Sequence, residues 1–188
     1  MSKIGLVAAA IALACCSCAS GNSAFSGDGD QIVQHVSGSR VRTYRTLDDL
    51  RIASSAVLTG RTSSKSSVVE TISGIPFSGV TFTIEKILGI SNSLNLKSGD
   101  AIVIRVTGGD GTVNDDVAAL QPDATYLLFL TEFRHLPDGP TNGQFVIVGA
   151  DSGMFVDARD GRYTKQSKVD PDLPDTISQD ESATVVIG

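Results

Sequence analysis

The stretch that most constrains the fold of this chain is a strand pattern that changes phase partway along. Val80, Phe82 and Ile84 alternate with polar residues, so they share one face of a strand whose other face is polar. At Lys86 a charged residue takes a position where the alternation requires an apolar one, and Ile87 has the opposite parity. We expect a β-bulge or a sharp bend there, because a bulge lets one long strand serve two sides of a barrel.

Further strand patterns lie on both sides of this stretch. They are short apolar or alternating runs bounded by turn residues, and they cover residues 56–60, 68–72, 102–106, 126–130 and 145–148. The run at 126–130 has no polar interruption, so we expect a central strand buried on both faces. Most of the predicted elements are therefore strands.

One short helix is predicted ahead of the strands, over residues 46–54. Thr46 is a suitable N-cap, and Asp48 and Asp49 would lie in the first turn, where the helix dipole favours negative charge. A chain of 188 residues with 41% hydrophobic content can build one core of its own. We predict a mainly β fold: a single OB-like or related small antiparallel barrel with one short N-terminal helix.

All of the cysteines of the chain lie close to its beginning, at Cys15, Cys16 and Cys18. They follow Lys3 and an apolar run of about eleven residues, which suits the core of a signal peptide and is too short to span a bilayer. The pattern predicts a lipoprotein signal over residues 1–18. We expect the lipid on Cys15, with Cys18 as the alternative and simple secretion after the cysteine cluster as a third possibility.

The composition divides the rest of the chain into three parts. Residues 19–40 are rich in Ser, Gly and Asp, which predicts a flexible tether. Residues 41–164 contain the predicted strands and form the barrel domain. Residues 165–188 combine prolines with many acidic residues, so we expect an acidic tail without fixed structure.

Several kinds of chemistry are excluded from the predicted domain by its residue types. Without cysteine beyond Cys18 it has no disulfide, no cysteine-bound zinc and no thiol nucleophile. The formal charge of −6 argues against a nucleic-acid partner. We predict no cofactor.

One acidic loop alternates its oxygen-bearing residues as calcium-binding loops do. Asp110, Asn114 and Asp116 are its candidate binding residues. However, Asp115 occupies the position that needs glycine, and Gln121 the position that needs a bidentate acid. We therefore expect a binding loop and predict no metal.

A second motif, Asp151-Ser152-Gly153, matches the core of the trypsin-like nucleophile signature. A serine hydrolase needs a histidine base beside the serine, and the chain has two histidines, His35 in the predicted tether and His135 in a predicted loop. We predict no catalytic residue and a surface turn at Ser152, with a hydrolase using Ser152 and His135 as the alternative.

The order of these patterns resembles that of small envelope lipoproteins of actinobacteria. The resemblance is carried by the short helix, the strand at 56–60, the bent strand ending at 85–89, the strand at 102–104 and the Leu120-Gln121-Pro122-Asp123 turn before residues 126–130. Those lipoproteins are similar to the netrin/tissue-inhibitor-of-metalloproteinase group of OB-like barrels. The resemblance covers about residues 47–156 and implies an OB-like fold. The inhibitors of that group depend on disulfides and a free N-terminal cysteine, which this domain lacks.

The function expected from these features is that of a non-catalytic binding or scaffold module of the cell envelope. The lipid would anchor it to the outer face of the cytoplasmic membrane, where its partner would be another envelope protein. The alternatives are an extracytoplasmic serine hydrolase and a protease-inhibitor-like protein.

Overall fold

The computed structural model describes residues 34–36, 42–63, 68–72, 75–108, 112–114, 117–136 and 139–183. Its elements are, in chain order, β1 (Gln34–Val36), α1 (Leu47–Ile52), β2 (Ala56–Thr62), β3 (Val68–Ile72), β4 (Ile75–Ile90), β5 (Ala101–Thr107), β6 (Thr112–Asn114), β7 (Thr125–Arg134), β8 (Thr141–Ile147), β9 (Met154–Asp157), β10 (Arg162–Lys165), β11 (Thr176–Ser178) and α2 (Gln179–Ala183). The fold is mainly β, as the sequence predicts.

Five of the strands form a closed ring. In the order β2, β4, β5, β8 and β7 each strand pairs with the next, and β7 pairs back to β2. The β5–β8 pair is parallel, and the other four pairs are antiparallel. This five-stranded ring is an OB-like barrel, so the predicted fold class is confirmed. Strands β9, β10 and β11 continue the sheet outward from β7, so the ring is one part of a larger mixed sheet.

The long strand β4 bends where the sequence pattern changes phase. Its pairing with β2 shifts register between Thr59 and Gly60, which confirms the irregularity predicted beside Lys86. Gly60 lies at this point, and a Cβ atom there would be 2.1 Å from the main-chain oxygen of Thr83. The two strands therefore approach so closely that only glycine fits.

Two hydrophobic clusters lie on opposite faces of the sheet. The first contains alternate residues of all five ring strands and so fills the ring; it includes Leu58, Phe82, Ile104, Leu128 and Phe145. The second covers the outer face of β2 and β7 with α1 and the C-terminal segment; it includes Leu50, Val57, Phe129, Phe155 and Ile177. Residues 126–130 alternate between the two clusters, which confirms that this run is a central strand buried on both faces.

The predicted N-terminal helix is α1. The Thr46 hydroxyl accepts a hydrogen bond from the main-chain N–H of Asp49 at 3.0 Å, and the Asp49 carboxylate accepts one from the N–H of Thr46 at 3.1 Å. This reciprocal capping box satisfies two N–H groups that the helix itself leaves unpaired. Hydrogen bonds to the Asp49 carboxylate, first from the Thr46 side chain and then from the main-chain N–H groups of Arg45 and Thr46, lower the pKa of Asp49.

We expected residues 165–188 to lack fixed structure, but the structure contains β11 and α2 within this segment. Residues 176–178 form β11 against β10, and Leu173 and Ile177 are buried in the second cluster. Each of these two apolar residues is flanked by polar residues or proline, so the average composition of the stretch hides them. Residues 184–188 lie outside the described part.

The predicted tether also contains one described strand, β1. Its residues Gln34–Val36 pair in parallel with β6, His35 facing Val113. The rest of the predicted tether and the signal, residues 1–33 and 37–40, lie outside the described residues. Among the helices that the structure describes, none is long and apolar enough to cross a membrane.

Candidate functional site

Most of the residues predicted from sequence as binding or attachment sites lie outside the described residues. These are the lipid-attachment candidates Cys15 and Cys18 and the loop acids Asp110 and Asp116. Asn114 is the last residue of β6, where its main chain is in register with Val36 of β1. Among the described residues, no group of three or more His, Cys, Asp and Glu side chains could hold a metal ion.

Ser152 lies in the turn between β8 and β9, and it is fully buried. Its hydroxyl donates to the Asp170 carboxylate at 2.5 Å, and the main-chain oxygen of Gly149 is 2.9 Å away. Asp170 also accepts from the hydroxyl of Ser167 at 2.9 Å and from the main-chain N–H of Tyr44 at 3.1 Å. The buried carboxylate thus joins three distant parts of the chain, which is a structural role.

The environment of His135 is different from that of Ser152. His135 is exposed after the end of β7, and its ring packs edge-on against Phe133 at 5.0 Å between centroids. A catalytic serine must reach its substrate, whereas the Ser152 hydroxyl is buried and bonded to an acid. We therefore assign Ser152 a structural role. The expectation of a surface turn is wrong, because the turn is there but Ser152 is buried in it.

The most unusual side chain on the outer face of the ring is Arg105 of β5. Its neighbour Ile104 points into the ring, so Arg105 points outward. The guanidinium carbon lies 4.4 Å from the ring centroid of Phe77 on β4 and 4.3 Å from that of Phe133 on β7. The cation is therefore held between two aromatic rings, and its side chain is only 2% exposed.

The polar contacts of this guanidinium are incomplete. Nη2 lies 2.8 Å from a carboxylate oxygen of Glu70 on β3, and Nη1 donates to the side-chain oxygen of Gln144 on β8 at 3.5 Å. The contact with Glu70 is an ion pair but is not aligned as a hydrogen bond. Within the described residues, Nε and Nη2 are buried without a hydrogen-bond partner. Such atoms are rare in native proteins and call for an explanation.

We call these five residues, Glu70, Phe77, Arg105, Phe133 and Gln144, the Arg105 cluster. It covers the outer face of β4 and β5, between the β3 segment on one side and the end of β7 on the other. OB-fold barrels bind oligonucleotides and oligosaccharides on the face of their second and third strands, together with the loop between the first two strands and the loop between the last two. The cluster therefore occupies the position at which this fold forms binding sites.

Leu136 is 69% exposed in the loop that follows β7, three residues after Phe133. Sequence analysis did not identify the cluster. Alternation along β5 assigned Arg105 to the polar face, but no local pattern indicates that rings from β4 and β7 lie beside it.

A depression of about 330 Å³ lies over β2 and β4. Arg61, Glu85 and Asp123 line it together with three hydroxyl-bearing residues, so it contains both signs of charge. Burial, and more weakly the charges of Asp157 and of Glu85 in this depression, raise the pKa of the Tyr163 phenol. The described contacts do not favour one kind of ligand for this depression.

No protein-family model matches this chain, and a search of curated protein sequences gives no match. The geometry of the Arg105 cluster is therefore the main guide to function.

Proposed function

We propose that this protein is a lipid-anchored, non-catalytic binding module of the cell envelope that contacts a protein partner through the Arg105 cluster. The observation that carries the proposal is the buried Arg105 guanidinium between Phe77 and Phe133, on the face that OB-like barrels use for binding. We infer the position of the surface from the fold, and we infer the function from the side chains at that surface.

The composition of the cluster supports a protein partner. Aromatic residues and arginine are enriched in protein–protein interfaces, and three of the five cluster residues are of these types. The two half-buried rings are already held in place by the guanidinium, so binding would cost little side-chain entropy. Leu136, three residues after Phe133, provides exposed apolar area near the end of β7.

The anchor in this proposal is a lipid on Cys15. An acyl chain contributes about 0.8 kcal/mol for each buried methylene, and two chains make the attachment stable. Replacing Cys15 with serine should release the protein from membranes into the medium, whereas Cys18→Ser should leave it attached. The opposite pattern would assign the lipid to Cys18, and attachment of both single variants and the double variant would refute a cysteine-linked anchor.

The binding surface can be tested by site-specific photo-crosslinking of the full chain in its own membranes. The crosslinking residue replaces Leu136 in one variant and Ile52 in the matched control. Ile52 is also a large exposed apolar residue, 81% exposed, but it lies on α1, which packs on the second hydrophobic cluster.

We expect a discrete adduct from position 136 that is absent from position 52. An excess of the purified chain without its lipid should compete the adduct away, since it carries the same surface. A result that gives adducts from position 52 alone, or from neither position, would refute the proposed surface.

A further inference from the structure

We propose that Arg105 is a receptor for a carboxylate, and that in the free protein the chain's own Glu70 fills that place. The ligand would be a glutamate or aspartate on an extended segment of the partner. This inference rests on the proposed function and names the chemistry of the partner.

The first argument is the arrangement of the two Arg105 donors that lack a hydrogen bond in the described part of the chain, Nε and Nη2. Nε and Nη2 of an arginine point from the same edge of the planar guanidinium, and a carboxylate accepts from that edge with two parallel hydrogen bonds. These are the two nitrogens of Arg105 that have no hydrogen-bond partner within the described residues. The protein thus holds a bidentate donor pair in a fixed orientation.

The second argument is that the present occupant is a poor fit. A Glu70 oxygen comes within 2.8 Å of Nη2, so the ion pair forms, but neither donor is satisfied by a hydrogen bond. The Glu70 side chain is 35% exposed, whereas that of Arg105 is 2% exposed. Glu70 therefore lies at the solvent side of the pair, and another carboxylate would reach Arg105 by taking its place.

The third argument concerns the kind of ligand. The ring centroids of Phe77 and Phe133 lie 4.4 and 4.3 Å from the guanidinium carbon, so an anion must pair with the N–H groups beside apolar rings. A carboxylate, whose two oxygens match the Nε and Nη2 donors, suits this edge. Glu70 itself belongs to a β-strand and is in register with Phe77 on β4. An acidic residue on an extended peptide would therefore present its carboxylate to Arg105 as Glu70 does.

The test is an NMR titration of the full chain that follows the Nε–Hε signal of Arg105, assigned by its loss in Arg105→Lys. The probe is N-acetyl-glutamate N-methylamide, and the control probe is the corresponding glutamine compound. The variant is Glu70→Gln, which keeps the shape of the side chain and removes its charge. Its matched control is Glu132→Gln, which removes the carboxylate that pairs with the more exposed Arg134 at 3.8 Å.

We expect the glutamate probe to shift the Arg105 signal saturably in Glu70→Gln, with an affinity about tenfold above that of the wild type, because the internal competitor has lost its charge. Glu132→Gln should behave as the wild type does, and the glutamine probe should give no saturable shift. Should Glu70→Gln fail to fold, the wild-type titration decides, since a saturable shift with the glutamate probe alone is still required.

Three results would overturn the inference. They are no saturable shift with the glutamate probe, equal shifts with both probes, or equal affinity of the wild type and Glu70→Gln. Tighter binding of glucuronate than of the glutamate probe would overturn the assignment to a peptide. Failure of the proposed function is distinguishable, because the adduct from position 136 would then be missing while the titration still succeeds.

Discussion

Replacing Asp170 with alanine tests the assignment of a structural role to the buried serine motif and the C-terminal segment. Asp170 is 1% exposed and accepts hydrogen bonds from Tyr44, Ser152 and Ser167. The substitution removes the carboxylate and leaves these donors inside the protein. It also removes the link between the start of the domain, the turn between β8 and β9, and the segment after β10.

The expected loss of stability depends on whether each donor has another acceptor once the carboxylate is removed. A hydrogen bond to a charged acceptor contributes about 1.5–3 kcal/mol. The main-chain N–H of Tyr44 cannot turn away, so its loss counts fully, whereas the Ser152 hydroxyl still has the oxygen of Gly149 at 2.9 Å. Counting Tyr44 and Ser167, we expect the free energy of unfolding to fall by about 3–6 kcal/mol, a large part of the roughly 5–15 kcal/mol typical of a domain.

The assay is equilibrium unfolding of the purified full-length chain in urea, followed by far-ultraviolet circular dichroism. Asp172→Ala is the control, because Asp172 is exposed in the same segment; its effect should stay within about 0.5 kcal/mol. Asp170→Asn keeps one acceptor oxygen and should fall between the two. If Asp170→Ala destabilised the chain no more than Asp172→Ala, the assignment of Asp170 and Ser152 to the fold would be refuted.

The remaining predictions concern pH, backbone packing and a buried amine. Burial raises the pKa of every tyrosine of the chain, Tyr44, Tyr126 and Tyr163. The stability that they contribute is fully present below the pKa of unfolded tyrosine, about 10, and is lost as the pH rises through the folded values. Phenolate absorbance should therefore develop at higher pH in the native chain than in guanidinium, and coincident titrations would contradict this. Gly60→Ala should lower the free energy of unfolding by about 2–4 kcal/mol, since the new Cβ meets a main-chain oxygen at 2.1 Å; a change below about 0.5 kcal/mol would argue against the close approach of β2 and β4. Lys165→Met should cost about 2–3 kcal/mol, because Nζ donates to the main-chain oxygens of Asp170 and Leu173 at 2.9 and 2.8 Å. Asp175→Ala removes only its exposed ion-pair partner and should cost under about 1 kcal/mol, so equal effects of these two variants on urea unfolding would refute the role of the amine.

Much of the fold was predictable because its signals are local. Alternation of Val80, Phe82 and Ile84 identifies the inner face of β4, and the change of phase at Lys86 identifies its bend. The unbroken run at 126–130 indicates a strand buried on both faces. Thr46 and Asp49 indicate where α1 begins. Each of these patterns depends on the period of one element or on residues within one turn of a helix.

The candidate site was not predictable in the same way. Arg105, Phe77 and Phe133 come from three strands, and their contact depends on the closure of the ring. Average composition misled the prediction for residues 165–183, because a polar, proline-rich segment needs only a few anchors, such as Leu173 and Asp170, to be held against the sheet.

The sequence by itself determined which segments become the five ring strands, which face of the long strand β4 is apolar, and that the domain must be stable without disulfides. Tertiary structure alone decided which side chains meet. Asp170 accepts the N–H of a residue 126 positions away, and Arg105 of β5 is buried against rings from β4 and β7. The physical reason is that periodicity is a property of one element, whereas the burial and pairing of a charge depend on how distant elements pack together.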